Sequence, residues 1–187
     1  MYKRQAYFGF AFDEKRVRSS IGHALEGKTG ERLRLRLLLD EDGSVTVTTA
    51  AQPVAAPGAV MRYVVSDTRL SSGDQFLYHK TTRRELYDRE WQHYADTLGS
   101  DEVIYLNERG ELAEGSRTTI FVERDGTLLT PPLGAGLLPG TLRANLIASG
   151  RAREARLSLE DLGAGSTVYL GNSVRGLMPA VPLIPAR

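Results

Sequence analysis

The sequence predicts an α+β protein of two domains, and three observations predict it. Apolar residues recur at helical spacing near the start, at Val17, Ile21 and Leu25. Leucines then alternate with arginines in Arg-Leu-Arg-Leu-Arg-Leu-Leu-Leu from Arg32 to Leu39, which is strand spacing. A polar stretch without period, Ser66 to Gln75, separates these elements from a second run of helices and strands. With 187 residues, 41% of them hydrophobic, the chain suits one large domain or two small ones and can build a buried core.

Taken in order, Phe12 to Gly27 is a helix with Asp13 as its N-cap. Arg32 to Leu39 and Ser44 to Thr49 form a β-hairpin across Asp40-Glu41-Asp42-Gly43, and Val60 to Val65 is a third strand of the same layer. Ser66 to Gln75 is the linker, which puts a small domain at 1–76 and a large one at 77–187. Tyr87, Trp91, Tyr94 and Leu98 line one side of a helix that Gly99 ends. Val103 to Leu106 and Thr118 to Val122 are strands, with turns at Asn107-Glu108-Arg109-Gly110 and Asp125-Gly126. A helix from Thr141 to Ser149 follows Leu138-Pro139-Gly140, and strands at Glu154 to Leu157 and Thr167 to Leu170 flank a helical stretch, Ser158 to Leu162. One helix and three strands make a thin layer, and Met1 to Gln5 runs into Ala6-Tyr7-Phe8-Gly9-Phe10 with no strand before it, so the small domain is expected to be incomplete.

Composition excludes several chemistries. Lys plus Arg number 24 against 23 Asp plus Glu, scattered along the chain, so no basic stripe points to nucleic acid. No apolar run is long enough to cross a bilayer and the start lacks a secretory apolar region, so a cytoplasmic protein without a membrane partner is expected. Absence of cysteine removes disulfides, thiolate metal sites and a Cys nucleophile. His23, His79 and His93 fall at no spacing that sets two on one helical face, so no metal site is expected. The chemistry must come from Lys, Glu, Tyr, Ser or Thr, or from an organic cofactor.

Four places are candidates for it. Lys80, in Tyr78-His79-Lys80-Thr81-Thr82-Arg83-Arg84, is taken alone a solvated surface group. Partly buried beside those arginines it would favour the neutral amine that Schiff-base chemistry needs. Glu114 precedes an apolar strand and by itself is a surface carboxylate. The Gly140-Thr141 step opens a helix after a long loop and is either an ordinary helix start or an anion site. Gly171-Asn172-Ser173 after the final strand is, alone, a turn with a hydroxyl.

Their order along the chain lifts all four. The stretches His79-Lys80-Thr81-Thr82-Arg83-Arg84 with Tyr87-Asp88, Asp101-Glu102-Val103 through Asn107-Glu108-Arg109-Gly110 with Glu114-Gly115, Leu129-Thr130-Pro131-Pro132 with Gly136-Leu137-Leu138-Pro139-Gly140 and Arg143, and Leu170 to Leu177 resemble the class IV, fold-type IV (D-amino acid aminotransferase-like) enzymes. In detail they resemble the aminodeoxychorismate lyase branch, especially the form fused behind an aminodeoxychorismate synthase. The resemblance is dense from Lys80 to Ala180 and thin before it.

The resemblance implies pyridoxal 5'-phosphate as cofactor, Lys80 as the Schiff-base lysine and later proton shuttle, and Glu114 as partner of the pyridine nitrogen. Gly140, Thr141, Asn172 and Ser173 are implied around the cofactor, with the Gly140-Thr141 main chain and the Ser173 hydroxyl on its phosphate. It implies conversion of 4-amino-4-deoxychorismate to 4-aminobenzoate and pyruvate, a step of folate synthesis, by a homodimer or by a chain joined to an upstream synthase domain. The same family pattern has an Asn where this chain has Thr119, a Thr where it has Leu142, and, in branched-chain transaminases, a Tyr where it has Glu85, with Tyr87 two residues on. It also has an earlier His-Leu-x-Arg-Leu segment, upstream of where this chain starts. The competing readings are an amino-acid transaminase of the same fold, and a non-catalytic fragment or interaction module whose edge strands invite association.

Overall fold

The structure, a computed structural model, describes residues 7–30 and 32–183. The start, Met1 to Ala6, on which the reading of an incomplete small domain rests, lies outside the described residues. The chain divides into two units, Met1–Ala55 and Ala56–Arg187.

In the first unit, helix α1 (Glu14–Leu25) starts where Asp13 accepts hydrogen bonds from the amides of Lys15 and Arg16. It packs on an antiparallel hairpin, β1 (Leu33–Leu39) with β2 (Val45–Ala51), paired from Leu33↔Ala51 to Leu39↔Val45. The leucine–arginine alternation thus makes the strand that it predicts.

The second unit carries one mixed sheet of eight strands: β3 (Met61–Leu70), β4 (Glu102–Asn107), β5 (Leu112–Gly115), β6 (Thr119–Arg124), β7 (Thr127–Thr130), β8 (Ala152–Glu154), β9 (Thr167–Asn172) and β10 (Gly176–Pro182). Their order across the sheet is β5-β4-β3-β10-β9-β6-β7-β8. Side chains alternate between faces. Tyr63, Ile104, Leu106, Ile120, Val122 and Leu170 point to one core, and Val103, Tyr105 and Phe121 to the other face. Helix α2 (Glu85–Leu98) covers β3 to β5 on that second face with Tyr87, Trp91 and Tyr94, while α3 (Thr141–Ala148) covers the other end with Leu142 and Leu146. Every residue of β4 is buried, as expected of a strand covered on both faces.

The sheet curls around the first core until its two ends meet. The amide of Leu112 on edge strand β5 donates to Leu157 O at 2.7 Å, and Glu111 bridges Ser158. Between β6 and β7 the turn has two residues, Asp125 and Gly126, with φ of 52° and 72°, the mirror-image geometry that matches strand twist.

Three expectations are corrected. The third strand does not join the hairpin: β3 extends to Leu70 and pairs in parallel with β4 and β10. Half of the expected linker is therefore strand, and the boundary expected near residue 76 lies at 55/56. The physical reason is two-sided burial, because Met61, Tyr63, Val64 and Leu70 need both covered faces that only the large sheet supplies. The expected strand Glu154 to Leu157 forms instead at Ala152–Glu154, in register with β7.

Gly171 marks the tightest packing near the end of β9: a Cβ there would lie 2.6 Å from Gly176 O and 2.8 Å from Leu142 Cδ2. Gly171→Ala is expected to destabilise by about 1–3 kcal/mol, the cost of overpacking. Gly22→Ala, exposed in α1 with nothing within 4 Å of its added methyl, is expected to stabilise by about 0.5–1 kcal/mol. Urea denaturation of the two variants checks both signs.

Candidate active site

Glu114 is the centre of the site. It sits on β5, 9% exposed, and its carboxylate is fixed on both oxygens. Oε1 accepts from the Tyr87 hydroxyl at 2.7 Å and Oε2 from the Leu138 amide at 2.8 Å. Burial pushes its pKa up to about 7, against the pull of those two donors and the charge of Arg84. Burial, followed by the Glu114 charge, holds the Tyr87 hydroxyl well above its ordinary pKa, so it stays a donor. Glu114 is thus a desolvated carboxylate with hydrogen-bond donors but little cationic compensation.

A second buried acid shapes the turn behind it. Glu102, 1% exposed, accepts from the amides of Val103 (3.0 Å) and Arg117 (3.2 Å) and from the hydroxyls of Ser116 and Thr118 (2.8 Å to Thr118). Arg84 Nη2 donates to Ser116 O at 2.7 Å. The Arg117 guanidinium lies over the Trp91 ring, 3.7 Å from its centroid. The segment from Glu114 to Thr118 is therefore held by β4, by α2 and by its own side chains.

The other half of the site is the start of α3. Gly140 is its N-cap and no side chain caps it, so the first N–H groups remain available to an outside acceptor. A Cβ on Gly140 would lie 3.4 Å from Thr119 Oγ1, and the Gly171 position abuts Leu142, so the helix N-terminus, β6 and β9 converge there. The loop before Gly140 carries the Leu138 amide that binds Glu114. Both helices thus point N-terminal ends at the Glu114 region, α2 through Tyr87 in its first turn and α3 through Leu138 and Gly140.

Glu114, Gly140, Thr141 and Asn172 are brought into one neighbourhood. Thr141 is exposed at the first turn of α3. Asn172 is spent on the chain: Nδ2 donates to Arg117 O at 3.0 Å, and Oδ1 accepts from the amides of Val174 and Arg175. It shapes the turn that presents Ser173, which is exposed. Lys80 lies exposed between a 3-10 turn at Gln75–Tyr78 and α2. The partial burial on which the sequence reading turned is not found. Of the arginines expected beside it, Arg83 lies 4.4 Å from the Phe76 ring and Arg84 donates to Ser116 O. Three residues join Lys80 to Arg84, whose guanidinium reaches the turn that follows Glu114.

Sequence reasoning missed Tyr87, Thr119 and the Leu138 amide as parts of the site. Tyr87 shares its helical stripe with Trp91 and Tyr94 and reads as core, and only a hydroxyl in need of a partner distinguishes it. A main-chain amide leaves no sequence signal at all. The residues present fit a pyridoxal phosphate: an undercompensated buried carboxylate suits a ring N–H⁺, and a helix N-terminus that starts at Gly140 without a side-chain cap suits a phosphate. Among the described residues, no group of three or more His, Cys, Asp or Glu could hold a metal, and no helix is long and apolar enough to cross a membrane.

The sequence profile of amino-transferase class IV matches residues 2–182. A Schizosaccharomyces pombe protein provisionally named aminodeoxychorismate lyase is 27% identical over 177 residues, covering 91% of this chain and 75% of that protein. A Mesorhizobium loti crystal structure, provisionally named an amino-acid aminotransferase, superposes with a TM-score of 0.90 at 40% identity over 97% of this chain and 87% of that one. A Legionella pneumophila structure, provisionally named 4-amino-4-deoxychorismate lyase, shares the fold with a TM-score of 0.76 at 16% identity, over 96% of this chain and 73% of that one.

The raised pKa of Glu114 makes stability depend on pH. Unfolded, the group titrates near its ordinary value of 4.5, and folded at about 7. Between these values the folded chain holds the extra proton, so this group makes stability fall as pH rises, by up to about 1.4 kcal/mol per pH unit. Relative to Glu114→Gln, the cofactor-free protein is expected to lose stability from pH 5 to 7 and to run parallel above about pH 8. Urea midpoints across that range test it; parallel curves throughout would refute the perturbed carboxyl.

Proposed function

The chain belongs to the amino-transferase class IV family, whose enzymes share the fold-type IV architecture and depend on pyridoxal 5'-phosphate, and we propose that it acts as a 4-amino-4-deoxychorismate lyase. The products are 4-aminobenzoate and pyruvate, which places it in folate synthesis. The observation that carries the cofactor part of this reading is the buried Glu114 carboxylate between Tyr87 and the Leu138 amide. The substrate part is supported by the name of the fission-yeast relative and by the Gly171-Asn172-Ser173 turn.

When bound, the cofactor supplies an electron sink for negative charge at the substrate carbons. Glu114 would hold the proton on the ring nitrogen, and the Tyr87 hydroxyl and Leu138 amide fix the direction of its carboxylate. The first turn of α3, from Gly140 and Thr141, would hold the phosphate, with the Ser173 hydroxyl as a further donor. Asn172 acts through the turn that it shapes. Lys80 would supply the amine that holds the cofactor, and the same amine would take the proton from the substrate α-carbon. We propose that the protein works as a homodimer or together with an upstream synthase domain.

A transaminase reading is favoured by one observation, the 40% identity to the Mesorhizobium loti protein. Incubation of the holoenzyme with 4-amino-4-deoxychorismate separates the two. Pyruvate is expected without any added keto acid, whereas amino transfer that requires a keto acid would replace the lyase with a transaminase. Borohydride should fix the cofactor on Lys80, seen by peptide mass spectrometry, and Lys80→Ala should lose that mass and about 10²–10⁴-fold in rate. Neither product nor fixed cofactor in the unaltered chain would leave an interaction module instead.

A further inference from the structure

The Asn107–Glu111 turn takes no part in the chemistry above, yet it ties together the two arms that carry it. One arm runs from Ser71 to Lys80 and the other from Leu133 to Gly140. The Arg109 guanidinium reaches both: Nη1 donates to Ser72 Oγ at 2.6 Å and Nη2 to Gly134 O at 2.9 Å. It is itself held by Glu108 Oε1 at 2.8 Å and by Glu111 Oε2, 2.9 Å from Nε and 2.7 Å from Nη2.

The two carboxylates complete the clamp. Glu108 accepts from the Ser72 amide at 2.7 Å and its hydroxyl at 2.6 Å. Asn107, fully buried, donates from Nδ2 to Glu111 at 2.9 Å and to Ala135 O at 3.0 Å. Within the lysine arm, the Tyr78 hydroxyl donates back to Ser72 O at 2.8 Å. An independent observation joins the same arms. Gly136 has φ +88°, and a Cβ there would lie 2.8 Å from Ser72 Cα and 3.1 Å from Leu77 Cδ1. The second arm thus presses on the first where only glycine fits.

We propose that Arg109 is a positioning residue that sets the gap between the lysine arm and the arm carrying Leu138 and Gly140, and hence the placement of Lys80 against Glu114. This rests on the reading that Lys80 and Glu114 serve one cofactor. A planar fork with five donors can serve Ser72, Glu108, Glu111 and Gly134 together, and a lysine cannot. The Arg109 side chain is 45% exposed, so its loss spares the core.

The first test uses the cofactor-free protein. Arg109→Met is expected to speed amide hydrogen exchange about tenfold in both arms, 71–80 and 133–138, with β4 and α2 unchanged. Faster exchange in one arm only, or in neither, overturns the coupling. In the holoenzyme, Arg109→Met should change the visible circular dichroism of the bound cofactor and weaken its affinity about tenfold, and Arg109→Lys should restore neither. Gly136→Ala should give the same spectral change with Arg109 intact, and Arg124→Met, 55% exposed on Asp161, should give none. An unchanged spectrum and affinity in both Arg109→Met and Gly136→Ala overturns the positioning role. An unaltered chain that takes up no cofactor would sink the cofactor reading, and the exchange measurement would still decide the coupling.

Discussion

Desolvation of one carboxylate organises this molecule. Glu114 leaves water on a strand where the chain offers it a phenol and a main-chain amide, with only the Arg84 charge to compensate its own. Each donor fixes a larger element: the phenol belongs to the first turn of α2, and the amide to the loop that starts α3. A buried acid costs stability unless its charge is met, and here it is met in part. That deficit is what a cationic ring nitrogen would fill.

The curled sheet makes this geometry affordable to the rest of the fold. Its first core is enclosed by the sheet itself, which frees the opposite face for two helices. One of those helices reaches Glu114 with the Tyr87 hydroxyl, and the loop that leads into the other reaches it with the Leu138 amide. Glu102 plays the complementary part, being as deeply buried but fully hydrogen-bonded, and it serves the shape of the turn rather than its reactivity.

Local pattern made much of this legible. The arginine–leucine strand, the stripe of Tyr87, Trp91 and Tyr94, the Asp13 cap and the Gly140 helix start all follow from spacing and turn chemistry within a few residues. The path of β3 was not legible, because the choice between pairing with a hairpin before it and with strands far along the chain after it is made by two-sided burial, a property of the whole sheet. The site divides in the same way. Lys80, Glu114 and Gly140 are visible as residue types in sequence, whereas the Leu138 amide, the Tyr87 hydroxyl and the commitment of Asn172 to its own turn exist only once distant segments meet.

The stacking of Arg117 on Trp91 has a practical meaning. This is the only tryptophan among the 187 residues, and the cation over its ring belongs to the turn that Glu102 and Asn172 hold next to Glu114. The indole is thus a native fluorophore beside that turn, and a shift that carries the Arg117 guanidinium off the ring is expected to change its emission.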